Sequence, residues 1–192
     1  NSNEILIVDP LYNYNFSRFS KISFKDALKK ISFKNFTKFK NYIKPPSKLT
    51  DFVPDEIIKK GNTINHDVDS NKSNLELYGI AKSILHRYAR AKLVITSRIH
   101  CALPCIALGT PVLFVLDGLK DENFHMSRLR GILDHINILT NDSKQDVEKL
   151  FGRKMNVYSP EQIDWSNPPK NPNSYKELSD KLKNRCFEFI KA

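Results

Sequence analysis

Residues 91–120 of this chain read AKLVITSRIHCALPCIALGTPVLFVLDGLK. The stretch begins with an apolar, β-branched run, Leu93–Thr96, which is typical of a strand buried on both faces. A short helical pattern over Ile99–Leu108 follows and stops at Gly109, and Val112–Leu116 is a second buried run. Two buried strands joined by a short helix form the repeating unit of a parallel sheet. The stretch therefore predicts an α/β fold with a doubly wound, Rossmann-like parallel sheet.

The rest of the chain alternates in the same way between short apolar runs and helical patterns. Further strands are predicted at Ile5–Val8, Asn62–Val68 and Ile136–Leu139. Helices are predicted at Phe24–Ile31, at Phe33–Ile43, after the capping box Ser73–Glu76, at Met126–His135, at Gln145–Phe151 and after Ser174. We divide the chain into a basic helical segment, 1–60, which can belong to the same domain, a Rossmann-like core, 61–165, and a linker with a C-terminal helix, 166–192.

Composition narrows the class of protein. The chain has 192 residues, 40% of them hydrophobic, and a formal net charge of +10 from 31 basic and 21 acidic side chains. It contains no apolar run long enough to span a membrane. Cys101 and Cys105 have helical spacing inside an apolar run and are predicted to be buried thiols. Between Arg18 and Lys60, aromatic residues at helical spacing alternate with lysines, which we interpret as a solvated basic face and not as a nucleic-acid site.

Several kinds of site are excluded by missing motifs. The six glycines are too scattered for a dinucleotide fingerprint or a phosphate-binding P-loop. The sequence also contains no GxSxG, HExxH or CxxC motif. The predicted sheet is therefore not expected to bind a nicotinamide cofactor or ATP. No metal or organic cofactor is expected.

Polar residues follow the first strand of the 91–120 block. Ser97, Arg98 and His100 come at the carboxyl end of that strand and at the start of the next helix. Ligands of open α/β sheets bind at this edge, and the start of a helix favours an anion. Lys120 follows the second strand and can return to the same edge. These residues predict a site for a small, highly charged anion.

Alternative interpretations concern His100 and the remaining histidines. His100 can instead cap the helix, with Arg98 and Lys120 solvated. His125 and Arg128 follow the second strand, and either reach the rim of the crevice or belong to a solvated helix start. His66 is interpreted as a turn residue, and His86 and His135 as structural.

The 91–120 block, with its Arg98-Ile99-His100 triplet, its Leu-Gly-Thr-Pro-Val segment and the following Lys120, resembles the polysaccharide pyruvyl transferase family, whose hallmark at this place is Arg-Leu-His. The resemblance covers about residues 60–140. It implies one half of a GT-B-like fold, namely the C-terminal, donor-side portion, with phosphoenolpyruvate bound between two domains. It further implies that His100 is the general acid/base, and that Arg98 and Lys120 are ligands of the donor. Ser97 and Arg128 are added as substrate-binding candidates from their positions.

The implied reaction transfers the enolpyruvyl group of phosphoenolpyruvate to a sugar of a polysaccharide or glycan as a ketal. The expected partners are the donor, the glycan acceptor, and a missing N-terminal domain or second subunit, because the family's N-terminal half has no counterpart here. The expected location is the cytoplasm, where the protein can be membrane-peripheral, or else the Golgi lumen. Two alternatives stay open: a GT-B glycosyltransferase donor domain that uses a nucleotide sugar, and a non-catalytic remnant of such a domain.

Overall fold

The computed structural model describes residues 3–11, 48–69, 71–116 and 131–191, which form an α/β fold. Its strands are β1 (Ile5–Val8), β2 (Asn62–Ile64), β3 (Leu93–Thr96), β4 (Val112–Val115), β5 (Asn137–Leu139) and β6 (Val157–Tyr158). The α-helices among the described residues are α1 (Asp55–Lys60), α2 (Asn74–Arg90), α3 (Ile99–Leu108), α4 (Lys144–Phe151) and α5 (Tyr175–Lys191). Three-residue 3-10 turns occur at Leu49–Asp51, Leu133–His135 and Pro160–Gln162.

The six strands form one parallel sheet in the order β2-β1-β3-β4-β5-β6. The chain moves from β1 to β2 on one side, then crosses back over β1 to β3 and continues in the opposite direction. The order therefore reverses between β1 and β3. In sheets of this kind the reversal leaves a crevice at the carboxyl ends of the two strands, and ligands bind there.

Alternate strand residues fill two separate cores. Leu6, Val8 and Val94 pack on one side of the sheet, together with side chains of α2, α3 and α4. Ile5 and Ile95 belong to a second cluster on the other side, where α1 and the segment around residue 163 cover the sheet. Side chains that alternate between two covered faces are what a strand buried on both sides requires. The predicted doubly wound, Rossmann-like fold is confirmed.

Most predicted elements appear near their predicted bounds, with the following differences. The helix α1 was not predicted. β2 ends at Ile64 and does not continue to Val68, because the next residues turn away to bond with side chains instead of the sheet. The described end of the predicted helix Met126–His135 is a 3-10 turn. The two-residue strand β6 was not predicted, since so short a run shows no periodicity. The predicted helices Phe24–Ile31 and Phe33–Ile43 lie outside the described residues.

The start of α2 follows the predicted capping box. The Ser73 hydroxyl accepts the Glu76 N–H, and the Glu76 carboxylate accepts the Ser73 N–H at 2.8 Å. The predicted thiols Cys101 and Cys105 are buried and free.

Alanine should have opposite effects on stability at a glycine that ends a helix and at a glycine inside one. Gly109 ends α3 at φ 75°, a left-handed conformation that costs a side-chain-bearing residue about 1–2 kcal/mol. Gly79 lies inside α2, and an added Cβ there would meet no atom within 4 Å. Chemical denaturation should show that Gly109→Ala lowers the free energy of unfolding by about 1 kcal/mol and that Gly79→Ala raises it by about 0.5–1 kcal/mol. A gain in stability at both positions would contradict the described end of α3.

The last helix is attached at its start and exposed along its length. Tyr175 packs against the core, and the Ser174 hydroxyl lies 2.7 Å from Nδ1 of His135. The large apolar side chains of α5 are exposed within the described part of the chain, from 59% at Leu178 to 84% at Phe189. Among the described helices, none is both long and apolar enough to cross a membrane.

Candidate functional site

The predicted site residues lie where β3 passes into α3. Ser97 follows the strand directly, Arg98 occupies the N-cap position of α3, and His100 is the second residue of the helix. The Arg98 N–H donates to the Thr96 hydroxyl at 3.0 Å, a local bond that turns the chain from strand to helix. All three lie at the carboxyl end of β3, beside the reversal in strand order. Lys120, Arg128 and His125 lie outside the described residues.

His100 is exposed in the first turn of α3. The cap position belongs to Arg98, whose side chain makes no capping hydrogen bond. The geometry therefore does not give His100 the capping role that the sequence left open. An exposed imidazole at this edge can exchange a proton with a molecule bound in the crevice.

Ser97 contributes to the site through the backbone of β1. Its side chain is almost completely buried, and its hydroxyl donates to the carbonyl oxygen of Asp9 at 3.0 Å. Asp9 in turn donates its N–H to the carbonyl of Ile64 at 3.2 Å. These bonds join the ends of β1, β2 and β3. Ser97 thus helps to form one side of the crevice.

Arg98 reaches across to the end of β1. Its Nε lies 3.1 Å from Oδ2 of Asp9, a carboxylate whose side chain is only 5% exposed. Its Nη2 lies 3.7 Å from Oδ1 of Asp67, which is 63% exposed. On the described side of the crevice, two carboxylates are therefore paired with one guanidinium. Arg98 is held by these ion pairs and does not extend freely into solvent.

The turn after β1 has an uncommon backbone. Asp9 has φ 39° and Leu11 has φ 60°, both in the left-handed region that only a few per cent of non-glycine residues adopt. Aspartate tolerates this region better than most residues, while a buried leucine tolerates it poorly. Strain of this kind persists where the surrounding structure holds it, and it concentrates at functional sites.

His66 lies between Asp9 and the buried Tyr88. Its backbone N–H donates to Oδ2 of Asp9 at 3.1 Å. In the ring, Nδ1 lies 3.5 Å from the same oxygen and Nε2 lies 2.6 Å from the Tyr88 hydroxyl. Burial raises the pKa of Tyr88, so the hydroxyl stays protonated and can donate to Nε2. Burial also lowers the pKa of His66, against an opposing effect from Asp9, and the charge of Arg98 lowers it further.

The environment of His66 should make the free energy of unfolding depend on pH. The unfolded chain binds a proton at His66 below about pH 6.5, whereas the folded chain binds it only at lower pH. The free energy of unfolding should therefore fall as the pH drops from 6.5 toward the folded pKa. Denaturant titrations at several pH values should show a shallower fall for His66→Gln than for the unaltered chain. Equal slopes would contradict the described burial of the ring.

Asp9 and His66 were not among the residues predicted for the site. From the sequence, His66 was interpreted as a turn residue and Asp9 was not singled out. Both follow strands at the same edge as Ser97, and ligands of open α/β sheets bind at the carboxyl ends of β1 and β2 as well as of β3. What the sequence did not contain was the strand order that makes these ends neighbours.

Taken together, the crevice combines an exposed imidazole, a guanidinium held by carboxylates, and the first turn of a helix. This set can bind one end of an anion and exchange a proton with it. Within the described parts of the chain, no group of three or more side chains could hold a metal ion. Comparisons with models of protein families, with curated proteins and with solved structures give no match for this chain.

Proposed function

We propose that this chain is the donor-binding part of a pyruvyl transferase, which moves the enolpyruvyl group of phosphoenolpyruvate onto a glycan as a ketal. The observation that carries the proposal is the position of Arg98 and His100 in the first turn of α3, beside the reversal in strand order. The resemblance of the Arg98-Ile99-His100 triplet to the pyruvyl transferase family supplies the choice of donor.

The proposed chemistry assigns the two residues different tasks. Phosphoenolpyruvate must receive a proton at its methylene carbon, which makes C2 an electrophile for a sugar hydroxyl. The first hydroxyl adds at C2, phosphate then leaves with the electrons of its C2–O bond, and a second hydroxyl adds at the resulting electrophilic C2 to complete the ketal. His100 supplies the proton to the methylene carbon and recovers one from the first hydroxyl, and the proton of the second hydroxyl leaves with the phosphate. Arg98 binds the carboxylate or phosphate of the donor through its guanidinium.

Isothermal titration with phosphoenolpyruvate tests the proposal directly. Arg98→Ala should weaken binding by about 1.5–3 kcal/mol, which is about ten- to a hundredfold in Kd, because a charged hydrogen bond is lost. Arg87→Ala is a matched control. Arg87 is also paired with a carboxylate, Glu4 at 2.7 Å, but Glu4 precedes β1 and lies at the opposite edge of the sheet.

The same titration separates the alternatives. A nucleotide sugar that binds more tightly than phosphoenolpyruvate, with the same dependence on Arg98, would favour a glycosyltransferase donor domain. Equal weakening by Arg87→Ala and Arg98→Ala would mean that the anion does not bind at the crevice. Binding of neither ligand would favour a non-catalytic domain.

A further inference from the structure

One buried carboxylate connects the elements that form the crevice. Oδ2 of Asp9 lies 3.1 Å from Nε of Arg98 and accepts the backbone N–H of His66 at 3.1 Å. The same oxygen lies 3.5 Å from Nδ1 of the His66 ring. Arg98 belongs to the start of α3, whereas His66 follows β2. Asp9 itself follows β1, so a single oxygen is shared by the ends of three elements.

We propose that Asp9 is the positioning residue of this crevice: its carboxylate fixes the guanidinium of Arg98 and the segment that carries His66, so that Arg98 meets a bound anion in one orientation. The inference rests on the proposed function for the identity of that anion. The contacts through which Asp9 acts do not depend on it.

Burial distinguishes Asp9 from the second carboxylate near Arg98. The Asp9 side chain is 5% exposed and that of Asp67 is 63% exposed. Solvent screens an exposed ion pair, so such a pair holds its partner weakly. A buried carboxylate that loses its partner leaves an uncompensated charge, so separating Asp9 from Arg98 is costly. The Nε atom of Arg98 is also shielded from solvent. Asp9 and not Asp67 therefore determines where the guanidinium lies.

The backbone around Asp9 supports the same role. Its φ of 39° is an uncommon conformation, and the bonds from the Ser97 hydroxyl and to the Ile64 carbonyl hold the residue on both sides. A conformation held in this way fixes the direction in which the carboxylate leaves the chain.

A fixed guanidinium should improve selectivity more than affinity. Phosphoenolpyruvate has a carboxylate and a phosphate in a fixed relation, so its binding depends on the orientation of Arg98, whereas inorganic phosphate tolerates many orientations. In Asp9→Asn the side chain keeps its size and loses its negative charge. Loss of that charge removes a repulsion that acts on both anions. The less ordered Arg98 weakens only the binding of phosphoenolpyruvate. The preference for phosphoenolpyruvate over phosphate should therefore fall.

The experiment compares the unaltered chain with Asp9→Asn and with Asp67→Asn as the matched control. NMR should show a slowly exchanging Arg98 Nε–H in the unaltered chain and in Asp67→Asn, and fast exchange in Asp9→Asn. The pKa of His66 should fall in Asp9→Asn, because the charge of Asp9 raises it, and should fall less in Asp67→Asn. The Kd for phosphate divided by the Kd for phosphoenolpyruvate should drop about tenfold in Asp9→Asn alone. Melting temperatures report separately whether each variant folds.

The outcomes are separable. The proposal is overturned if the Arg98 Nε–H of the unaltered chain exchanges as fast as that of an exposed arginine, a result that does not require any variant to fold. It is also overturned if folded Asp9→Asn keeps the slow exchange or the selectivity of the unaltered chain. If the unaltered chain binds no phosphoenolpyruvate while Asp9 controls both the Arg98 signal and the His66 titration, the proposed donor is wrong and the contacts through which Asp9 acts are supported.

Discussion

Replacing His100 with alanine is expected to lower turnover by about a hundredfold or more while changing donor affinity by no more than a few-fold. The assay for this comparison is that of the proposed transferase, with this chain combined with the second side of the crevice. Proton transfer by a positioned side chain stabilises the transition state and not the bound substrate. Its loss therefore lowers kcat and leaves ground-state binding nearly intact. The position supports this role, because the imidazole is exposed in the first turn of α3 beside the crevice.

The control for this prediction is another exposed histidine. His86 lies near the end of α2, toward the opposite edge of the sheet, and His86→Ala should leave turnover unchanged. Melting temperature should be similar for both variants. A large drop in the melting temperature of His100→Ala with normal turnover would instead assign His100 a structural role and would remove it from the proposed mechanism.

The second large effect concerns the chain by itself, which is expected to show little or no transferase activity. Transfer between two substrates needs a site closed on both sides, so that water is excluded and the reactants are oriented. Among the described residues of the crevice, the carboxylates of Asp9 and Asp67 offset the positive charge of Arg98. A multiply charged donor needs more cations than this wall presents, and Lys120 or a second subunit is the expected source.

An assay of phosphate release from phosphoenolpyruvate, with and without a glycan acceptor, checks this expectation. The control is the same assay after addition of a candidate second domain or subunit, which should restore turnover. Rapid turnover by this chain without any addition would point to the basic segment 18–60, or to a second subunit, as the second wall.

Much of the fold could be predicted because its signals are local. The β-branched runs of β3 and β4 are buried on both faces, and Gly109 ends α3 in the left-handed conformation that favours glycine. The capping box at Ser73 predicted the start of α2 for the same reason, since each cap is made by residues within one turn. β6 has two residues and is joined to the sheet only through its neighbour, so no local pattern marks it.

The candidate site was only partly predictable because its contacts are not local. Arg98 and His100 could be found from the strand that precedes them. The ion pair between Asp9 and Arg98 joins residues 89 positions apart, and it exists because β1 lies beside β3 in the sheet. Strand order follows from the packing of the whole domain and not from the periodicity of any one segment. The environment of His66 depends on the same order.

The proposed function depends most on the binding of phosphoenolpyruvate at Arg98 and His100, in the crevice between β1 and β3. The most direct test is a crystal structure of this chain soaked with phosphoenolpyruvate, with a parallel soak in a nucleotide sugar. The account predicts the donor at the carboxyl ends of the two strands, with an acidic group on the Arg98 guanidinium and the methylene carbon near the His100 imidazole. A nucleotide in that place, or phosphoenolpyruvate bound only elsewhere, would contradict it.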